Sequence, residues 1–318
     1  MDEAVVKARK TALDIIHNIE KVIIGKHKSV ELAVIGLISH GHLLIEDAPG
    51  VGKTMLARSL AKSVNCSFKR IQFTPDMLPG DITGVTVYNQ KTCDFQYRPG
   101  PIMANMVLAD EINRATPRVQ SALLECMEER QISVDGITYP MPSPFHVLAT
   151  QNPIEFEGTF PLPETQLDRF LMRINLGYPS LPEEMEIMNK QQYVHPIESI
   201  EAVANCEDLL SLQETVKKIY IDSQVQKYIA TLVEATRSSP SIYLGASPRG
   251  SLGLFRTAQA RALLEGREFA LPDDVKALAE PVLAHRLVLH SLDGSRDRSG
   301  RAHITEILAK VPVPGVAP

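Results

Sequence analysis

A strand, a glycine-containing loop and a helix follow one another between His42 and Leu60, and this stretch constrains the fold more than any other. The segment His42–Glu46 is rich in Leu and Ile, which is typical of a short buried strand. Apolar residues recur with helical spacing over Met55–Val64, which predicts an amphipathic helix. The loop between them reads DAPGVGKT. Such a loop turns its backbone N–H groups inward, so that the loop and the helix N-terminus together bind phosphate oxygens.

Individual residues of this loop have distinct predicted roles. Gly50 and Gly52 let the main chain come close to a ligand. Lys53 is expected to reach the β- and γ-phosphates of a nucleotide, and the hydroxyl of Thr54 is expected to bind Mg²⁺. The alternative is a glycine-rich turn that binds nothing. The order of strand, loop, Lys-Thr and helix favours the phosphate loop.

One position departs from the usual pattern G-x-x-x-x-G-K-[ST]. The chain has Asp47 where that pattern has its first glycine. A carboxylate beside phosphates is repelled by them, unless its side chain points away from the concave face of the loop. Asp47 therefore puts the first turn of the loop in question, but it leaves the chemistry of Lys53 and Thr54 intact.

A second buried strand ends in two adjacent carboxylates. The run Met106–Ala109 is apolar and is followed by Asp110 and Glu111. Strands of parallel sheets read as continuous apolar runs, and binding sites form beyond their carboxyl ends. Asp110 is therefore expected near the phosphate loop, where it would help to hold Mg²⁺. Glu111 is expected to orient and deprotonate an attacking water molecule.

Three further polar residues are candidates for the same site. The apolar run Phe145–Thr150 predicts a strand, and Asn152 just after it would reach the γ-phosphate or the attacking water; the alternative is a turn residue before proline. Arg169 would pair locally with Asp168, cap a helix, or project into the active site of a neighbouring subunit. Arg249 lies in the first turn of a predicted helix, where a cation is unfavourable, so it indicates a phosphate or an acidic partner.

The predicted helix over residues 113–130 has its charges in an unusual order. Arg114 and Arg118 come early, whereas Glu125, Glu128 and Glu129 come late. This order opposes the helix dipole, which favours acids first and bases last. The arginines are therefore expected either to have partners elsewhere or to be solvated surface charges.

The pattern of elements changes near residue 180. Residues 1–180 contain the predicted buried strands of an α/β nucleotide-binding core, with β-hairpins inserted at about 82–98 and at 131–139; the alternative for the first is an irregular loop. Residues 181–310 show only helical patterns, in which Asp222 and Asp273 are expected to be caps. Residues 311–318 are rich in proline and are expected to form a flexible tail.

Composition excludes several classes of protein. The 318 residues carry a net charge of −5, which argues against a protein that binds nucleic acid over its whole surface. No apolar run is long enough to span a membrane, and the charged N-terminus is not a signal peptide. The four cysteines are far apart in the sequence, so we expect reduced thiols and a cytoplasmic location, with Cys126 packed in the core. No histidine has the spacing of a zinc ligand.

Together these motifs resemble those of the MoxR family of AAA+ ATPases. The resemblance covers roughly residues 10–290. It rests on IIGK at 23–26, DAPGVGKT at 47–54, VLADEINRA at 107–115, VQSALLECMEE at 119–129, LATQNP at 148–153, LPETQLDRF at 162–170 and GASPRG at 245–250. The order of the whole set is specific, although most of its members are common singly.

The resemblance implies an αβα P-loop domain with a parallel sheet, a smaller all-helical lid and ATP at their junction. It implies that Asp110 and Glu111 form the Walker B motif and that Asn152 is sensor 1. It also implies that Arg169 is the arginine finger and that Arg249 is sensor 2, acting on the nucleotide of its own subunit or of a neighbour. Lys53 joins the catalytic candidates, and Thr54 and Asp110 are the Mg²⁺ candidates. The candidate nucleotide-binding residues are Ile24, Gly25, Gly50, Val51, Gly52, Lys53, Thr54 and Met55.

The function that this resemblance implies is ATP-driven remodelling of client proteins. Proteins of the family form rings, usually hexamers, and often act with partners that contain a von Willebrand factor A domain. The inserted hairpins resemble loops that face the pore of the ring. A nucleic-acid motor is the first alternative, but the hairpin tips carry one lysine, Lys91, and one acid, Asp135, rather than a basic cluster. A nucleotide-sensing scaffold without turnover is the second, and the intact polar set argues against it.

Overall fold

A five-stranded parallel sheet lies at the centre of the protein. The computed structural model describes residues 2–152, 158–192, 195–290 and 296–315. Its strands are β1 (Leu43–Glu46), β2 (Phe68–Gln72), β3 (Gly84–Asn89), β4 (Asp94–Pro99), β5 (Met106–Asp110), β6 (Gln131–Val134), β7 (Ile137–Pro140), β8 (His146–Gln151), β9 (Met172–Ile174), β10 (Ile242–Leu244) and β11 (Val288–Leu289). The central sheet has the order β2-β5-β8-β1-β9, and all its pairs are parallel.

Helices surround this sheet and form most of the chain after it. They are α1 (Glu3–Glu20), α2 (His27–Ile38), α3 (Lys53–Ser63), α4 (Pro79–Thr83), α5 (Pro117–Glu129), α6 (Glu164–Leu167), α7 (Leu181–Gln191), α8 (Pro196–Ser199), α9 (Cys206–Lys217), α10 (Ser223–Ser238), α11 (Pro248–Leu264), α12 (Pro272–Leu283) and α13 (Arg296–Lys310), with 3₁₀ turns at Ile112–Arg114 and Ala284–Arg286. The expected P-loop α/β class with a helical lid is thereby confirmed. None of the helices in the described ranges is long and apolar enough to cross a bilayer.

Both faces of the central strands are buried, as their apolar sequences require. Side chains alternate along a strand, so neighbouring residues pack into different cores. Leu43 and Ile45 of β1 belong to one hydrophobic cluster, whereas Leu44 between them belongs to the other. Leu43 is aligned with Leu148 of β8 on one side and with Met172 of β9 on the other. The same alternation continues in β5 and β8.

The two hydrophobic clusters divide the molecule by the faces of the sheet. One cluster joins α1, α2 and α3 to the apolar faces of α9, α10, α11 and α12. The other joins α5 to the second hairpin and to the opposite face of β5 and β8. The later helices therefore share a core with one face of the sheet. The domain boundary near residue 180 stays a prediction.

Both predicted hairpins form. β3 pairs antiparallel with β4, and β6 pairs antiparallel with β7. The second hairpin turns at Asp135 and Gly136, whose φ angles of 51° and 80° fit the Asp-Gly turn that the sequence indicates. The rings of Tyr97 and Tyr139 stack with their centroids 4.2 Å apart and so connect the two hairpins.

Three local expectations are wrong. Residues 181–310 are not only helical, because β10 pairs antiparallel with β11; these strands and β9 have two or three residues each, too few to show a strand pattern in the sequence. Asp273 does not cap α12: the cap position is Leu271, and Asp274 accepts a hydrogen bond from its backbone N–H at 2.7 Å. Cys66 and Cys206 are not separate thiols but are paired as a disulfide, with Cα atoms 5.9 Å apart.

Other local expectations are confirmed. Asp222 caps α10 by accepting a hydrogen bond from the N–H of Gln224 at 2.8 Å. Cys126 is buried in the core of α5, and burial raises the pKa of its thiol to about 12. A thiol with so high a pKa stays protonated and unreactive at neutral pH.

Asp274 holds together the start of α12 and the turn before it. It is 2% exposed and forms a two-pronged ion pair with Arg267, at 2.7 and 2.8 Å, in addition to capping the helix. The bond to Asp274 raises the pKa of Arg267. Its neighbour Asp273 has a side chain that is 84% exposed and lies 3.5 Å from Lys276.

We therefore predict that Asp274→Ala lowers the free energy of unfolding by about 3 kcal/mol, because the half-buried Arg267 loses its carboxylate partner and the N-terminus of α12 loses its cap. The control is Asp273→Ala, which removes the same charge one residue earlier and is expected to change stability by about 0.5 kcal/mol or less. Urea unfolding followed by circular dichroism measures both. Equal changes in the free energy of unfolding would show that the contacts of Asp274 stabilise the protein no more than an exposed carboxylate does.

Candidate nucleotide-binding site

The phosphate loop lies between the carboxyl end of β1 and the start of α3. Gly50 and Gly52 have φ angles of 82° and 99°, a region that side chains other than glycine rarely adopt. Gly52 is the N-cap of α3, so the first N–H groups of that helix have no acceptor within it. Space around Gly50 is open. The loop therefore has the shape and the free donors of an anion-binding turn.

Lys53 and Thr54 open α3, as the motif requires. The ammonium group of Lys53 donates a hydrogen bond to the backbone oxygen of Asp47 at 2.7 Å, across the mouth of the loop. No described residue forms a hydrogen bond with the hydroxyl of Thr54. A hydroxyl and a nearby carboxylate are the oxygen ligands that Mg²⁺ prefers.

The side chain of Asp47 is turned away from the phosphate side of the loop. Its Oδ2 accepts hydrogen bonds from the N–H groups of Leu176 and Gly177, both at 2.7 Å, and its Oδ1 accepts one from Ala48 at 2.9 Å. Asp47 therefore ties the end of β1 to the chain that follows β9. The repulsion expected from a carboxylate in this motif is avoided because the carboxylate already has backbone partners.

The segment Ile23–Gly25 lies next to this loop. Ile24 is buried, and the end of the Ile23 side chain lies 4.0 Å from where a side chain at Gly52 would begin. Gly25 has a φ of 71°, and a methyl group there would overlap the carboxylate of Glu183 in α7. This contact brings the start of α7 against one wall of the candidate site.

Asp110 ends β5 at the same edge of the sheet as the loop. It is 7% exposed. Its Oδ1 accepts a hydrogen bond from the hydroxyl of Thr150 at 2.6 Å, and its Oδ2 is paired with Arg70 at 2.6 Å. Two of its neighbours in the sheet, β8 and β2, thus fix the orientation of this carboxylate. Neither Thr150 nor Arg70 was among the residues that the sequence predicted for this site.

Glu111 follows Asp110 in the left-handed conformation, with a φ of 58°. This turn sends its side chain to Gln72 of β2, whose amide donates to Oε2 at 2.8 Å, and to Arg114, which donates to the same oxygen at 3.1 Å. The backbone N–H of Glu111 donates to Thr150. The expectation of a partner elsewhere is wrong for Arg114, which lies in the 3₁₀ turn before α5 and is paired with Glu111 only three residues earlier. Arg70 and Gln72 are two residues apart in β2 and so lie on the same face of the sheet, where they contact Asp110 and Glu111. This spacing is the sequence signal that could have identified them.

Asn152 lies just beyond the end of β8 and is 4% exposed. Asn113 donates a hydrogen bond to its backbone oxygen at 3.5 Å. The side-chain oxygen of Asn113 is itself buried with no hydrogen-bond partner among the described residues. The carboxyl ends of β1, β5 and β8 therefore bring Lys53, Glu111 and Asn152 to one edge of the sheet, as the sequence predicts.

Arg169 and Arg249 lie elsewhere, beside the opposite edge of the sheet. They line an open cavity of about 230 Å³ together with His40, Gly41 and His42, which precede β1. One carboxylate, Glu128 near the end of α5, contacts both arginines: its Oε2 lies 3.1 Å from Nε of Arg169, and its Oε1 accepts a hydrogen bond from Arg249. Arg249 thus has the acidic partner that the sequence indicated. Arg169 is not paired with Asp168.

Asp168 is instead bonded to two residues of the later helices. Its Oδ1 and its backbone oxygen accept from Arg286, and its Oδ2 accepts from the hydroxyl of Ser247 at 2.8 Å. Ser247 is the N-cap of α11, in whose first turn Arg249 lies. Burial lowers the pKa of Arg286, and the neighbouring Asp168 opposes that shift. Asp168 therefore sets the position of Arg249 relative to Arg169.

The histidines near this cavity are uncharged at neutral pH. Burial, the largest cause in each case, lowers the pKa of His40 to about 4, of His42 to about 3 and of His146 to about 4. The positive charge of the cavity therefore comes from its arginines, which include Arg130 and Arg256.

Comparison with known proteins gives a consistent result. Residues 42–172 match the family described as "ATPase family associated with various cellular activities (AAA)", and residues 234–307 match the AAA lid domain. The chain is 51% identical over 299 residues to the uncharacterised protein YeaC of Bacillus subtilis, with 94% of this chain and 93% of that protein covered. It is 44% identical over 311 residues to Chaperone MoxR1 of Mycobacterium tuberculosis, with 95% and 82% covered.

A solved structure extends the likeness to three dimensions. A crystal structure from Cytophaga hutchinsonii, of a protein assigned as an ATPase, superposes with a TM-score of 0.91 at 39% identity, covering 98% of this chain and 97% of that one. The identity to the MoxR1 chaperone extends over nearly the whole of this chain. The chain therefore belongs to the MoxR family of AAA+ ATPases.

Proposed function

We propose that this protein is a Mg²⁺-dependent ATPase that works as a ring, a hexamer by resemblance, and remodels client proteins. The observation that carries the proposal is the division of the polar residues between the two edges of the sheet. Lys53, Glu111 and Asn152 lie at one edge, and Arg169 and Arg249 lie beside the other. We infer that one half of the chain would bind phosphate and that the other half would donate arginines to a neighbouring copy.

Binding of ATP uses the loop and the segment beside it. The backbone N–H groups from Gly50 to Met55, including that of Val51, would hold the phosphates, and Ile24 and Gly25 would lie against the adenine. Lys53 would exchange its bond to the oxygen of Asp47 for the β- and γ-phosphates.

Thr54 and Asp110 fit a Mg²⁺ ion, since Thr54 supplies a hydroxyl that bonds to none of the described residues and Asp110 supplies a carboxylate with a fixed orientation. The ion would neutralise charge on the phosphates.

Hydrolysis requires a base and a group that positions the attacking water. Glu111 is the proposed base, because its left-handed backbone brings the carboxylate beyond the strand end. Gln72 and Arg114 would fix its orientation through their bonds to Oε2. Asn152 would orient the water or the γ-phosphate from the end of β8.

The arginines would complete the site of a neighbouring copy. Arg169 and Arg249 lie beside residues 40–42, before β1 begins, whereas the phosphate loop follows the end of β1. A strand of 4 residues places roughly 13 Å between those ends. We therefore propose that both guanidinium groups act on the nucleotide of the next subunit, where they would stabilise the charge of phosphoryl transfer.

We propose the action on client proteins and the partner protein from the relatives and from the family resemblance. A chaperone role follows the name of the MoxR1 relative, and a partner with a von Willebrand factor A domain follows the family resemblance. The two hairpins, whose exposed side chains include Tyr88, Phe95 and Ile137, would contact the client. We propose a cytoplasmic location, where ATP is available.

The first test is Glu111→Gln. Removal of the base is expected to lower ATP turnover at least about 100-fold, while the affinity for a fluorescent ATP analogue stays within about twofold of wild type. Turnover is measured by phosphate release with Mg²⁺ and with EDTA, and affinity by fluorescence titration. Unchanged turnover would end the proposed mechanism.

The second test mixes two inactive variants. Arg169→Ala is expected to lose about 1,000-fold in turnover, because the neighbouring site lacks its arginine. When Arg169→Ala is mixed with Glu111→Gln, about one quarter of the subunit contacts in randomly mixed rings combine an intact base with an intact arginine. Turnover should then return to that fraction of wild type. No recovery in the mixture would refute donation between subunits.

The third test restores the usual glycine of the motif. Asp47→Gly removes the acceptor of three backbone N–H groups, so we expect the free energy of unfolding to fall by about 2 kcal/mol and ATP affinity to fall about tenfold. Asp47→Asn keeps one acceptor oxygen and should have a smaller effect. Urea unfolding and the same fluorescence titration measure both. Tighter ATP binding by Asp47→Gly would show that the carboxylate does repel phosphate.

A further inference from the structure

We propose that Glu128 is a latch that holds Arg169 and Arg249 together in the free protomer and releases them to the nucleotide of the next copy. This inference rests on the proposed function, because it concerns the same two arginines. It assigns Glu128 a role in assembly rather than in the chemical step.

The latch is a single carboxylate between two guanidinium groups. Each oxygen of Glu128 contacts a different arginine, at 3.1 Å for Arg169 and by a hydrogen bond for Arg249. The three side chains come from α5, from the turn after α6 and from the first turn of α11. In the proposed ring, the γ-phosphate of a neighbouring ATP would also be an anion bound between these two arginines. Glu128 and that phosphate therefore compete for the same donors.

The positions of these charges in their helices support a role beyond local stability. Glu128 is one residue from the end of α5, where the helix dipole disfavours an acid. Arg249 is in the first turn of α11, where the dipole disfavours a base. Each charge is thus poorly placed in its own helix and is compensated by the other. Two residues that are each unfavourable in their own helix, and that pair with each other, indicate a functional site.

The contact is also exposed enough to be exchanged. The side chains of Glu128, Arg169 and Arg249 are 32%, 32% and 43% exposed. Ion pairs at such positions are weak and are screened by salt. A triphosphate carries more negative charge than a carboxylate, so it can displace one from two arginines. The bond of Asp168 to Arg286 contrasts with this, because the side chain of Arg286 is only 2% exposed and that of Asp168 only 19% exposed.

The helix offers a matched control. Glu129 is the next residue, is exposed, and forms no ion pair among the described residues. Glu129→Gln therefore removes the same charge from the same end of α5 without touching either arginine contact. Any difference in assembly between Glu128→Gln and Glu129→Gln is therefore due to the contacts of Glu128 with the arginines, and not to the net charge or the helix dipole.

The test measures ATP turnover of the full chain over a range of protein concentrations, with Mg²⁺ and saturating ATP. Release of the arginines should favour assembly, so Glu128→Gln is expected to lower the concentration of half-maximal turnover about tenfold relative to Glu129→Gln. Its maximal rate should be at least that of wild type. Sedimentation velocity with a slowly hydrolysed ATP analogue should show the same shift in assembly.

Two outcomes would overturn the latch. One is equal half-maximal concentrations for the two variants. The other is a lower maximal rate of Glu128→Gln at an unchanged half-maximal concentration, which would mean that Glu128 orients the arginines for catalysis. If Glu128→Gln does not fold, as judged by circular dichroism, Glu128→Asp is used instead, because its shorter side chain cannot bridge both arginines; an unshifted half-maximal concentration then overturns the latch.

The same data separate this inference from the proposed function. If Arg169→Ala retains wild-type turnover, donation of the arginine itself is wrong. If Arg169→Ala is inactive but Glu128→Gln behaves as Glu129→Gln does, the donation stands and only the latch fails.

Discussion

The ion pair between Asp168 and the buried Arg286 is the contact on which the arrangement of this protein depends. The guanidinium of Arg286 donates to the side chain and backbone of Asp168, to the backbone oxygens of Phe170 and Leu171 at 2.6 and 3.2 Å, and to that of Val282 at 2.7 Å. A buried charge costs several kcal/mol unless it is satisfied in this way. Because these acceptors lie in two distant parts of the chain, the pair fixes the later helices against the strand that begins at Met172.

This constraint explains why one protomer holds two halves of a proposed site that do not meet. The parallel sheet brings Asp110, Glu111 and Asn152 to its carboxyl edge, and the direction of the strands leaves no other place for them. The joint at Asp168 holds Arg249 and Arg169 beside the amino edge. A short strand keeps these edges apart in every copy. A second copy is therefore the proposed means of bringing the base and the arginines to one nucleotide.

Much of this arrangement could be predicted from sequence, because parallel strands buried on both faces read as apolar runs and polar residues directly follow them. The phosphate loop and the strand before Asp110 were predicted in this way, whereas the antiparallel hairpins were predicted from β-rich runs and, for the second, from its Asp-Gly turn. What could not be predicted depends on contacts between distant residues. The backbone partners that Asp47 has about 130 residues further along the chain leave no pattern in the sequence. Glu128 was noticed for its unfavourable place in the helix, but its partners lie 41 and 121 residues away.

The carboxylates of Asp168 and Glu128 differ in how easily they can leave their arginines, and the burial of those arginines explains the difference. The side chain of Arg286 is 2% exposed, so parting it from Asp168 would leave its positive charge without a counter-ion where little water reaches it. Arg169 and Arg249 are about one-third or more exposed, so water replaces Glu128 at little cost when it leaves. The same pairing of acid and guanidinium thus forms a permanent joint at one position and an exchangeable contact at the other. A protein that must present arginines to a partner, without losing its own shape, needs both kinds of contact.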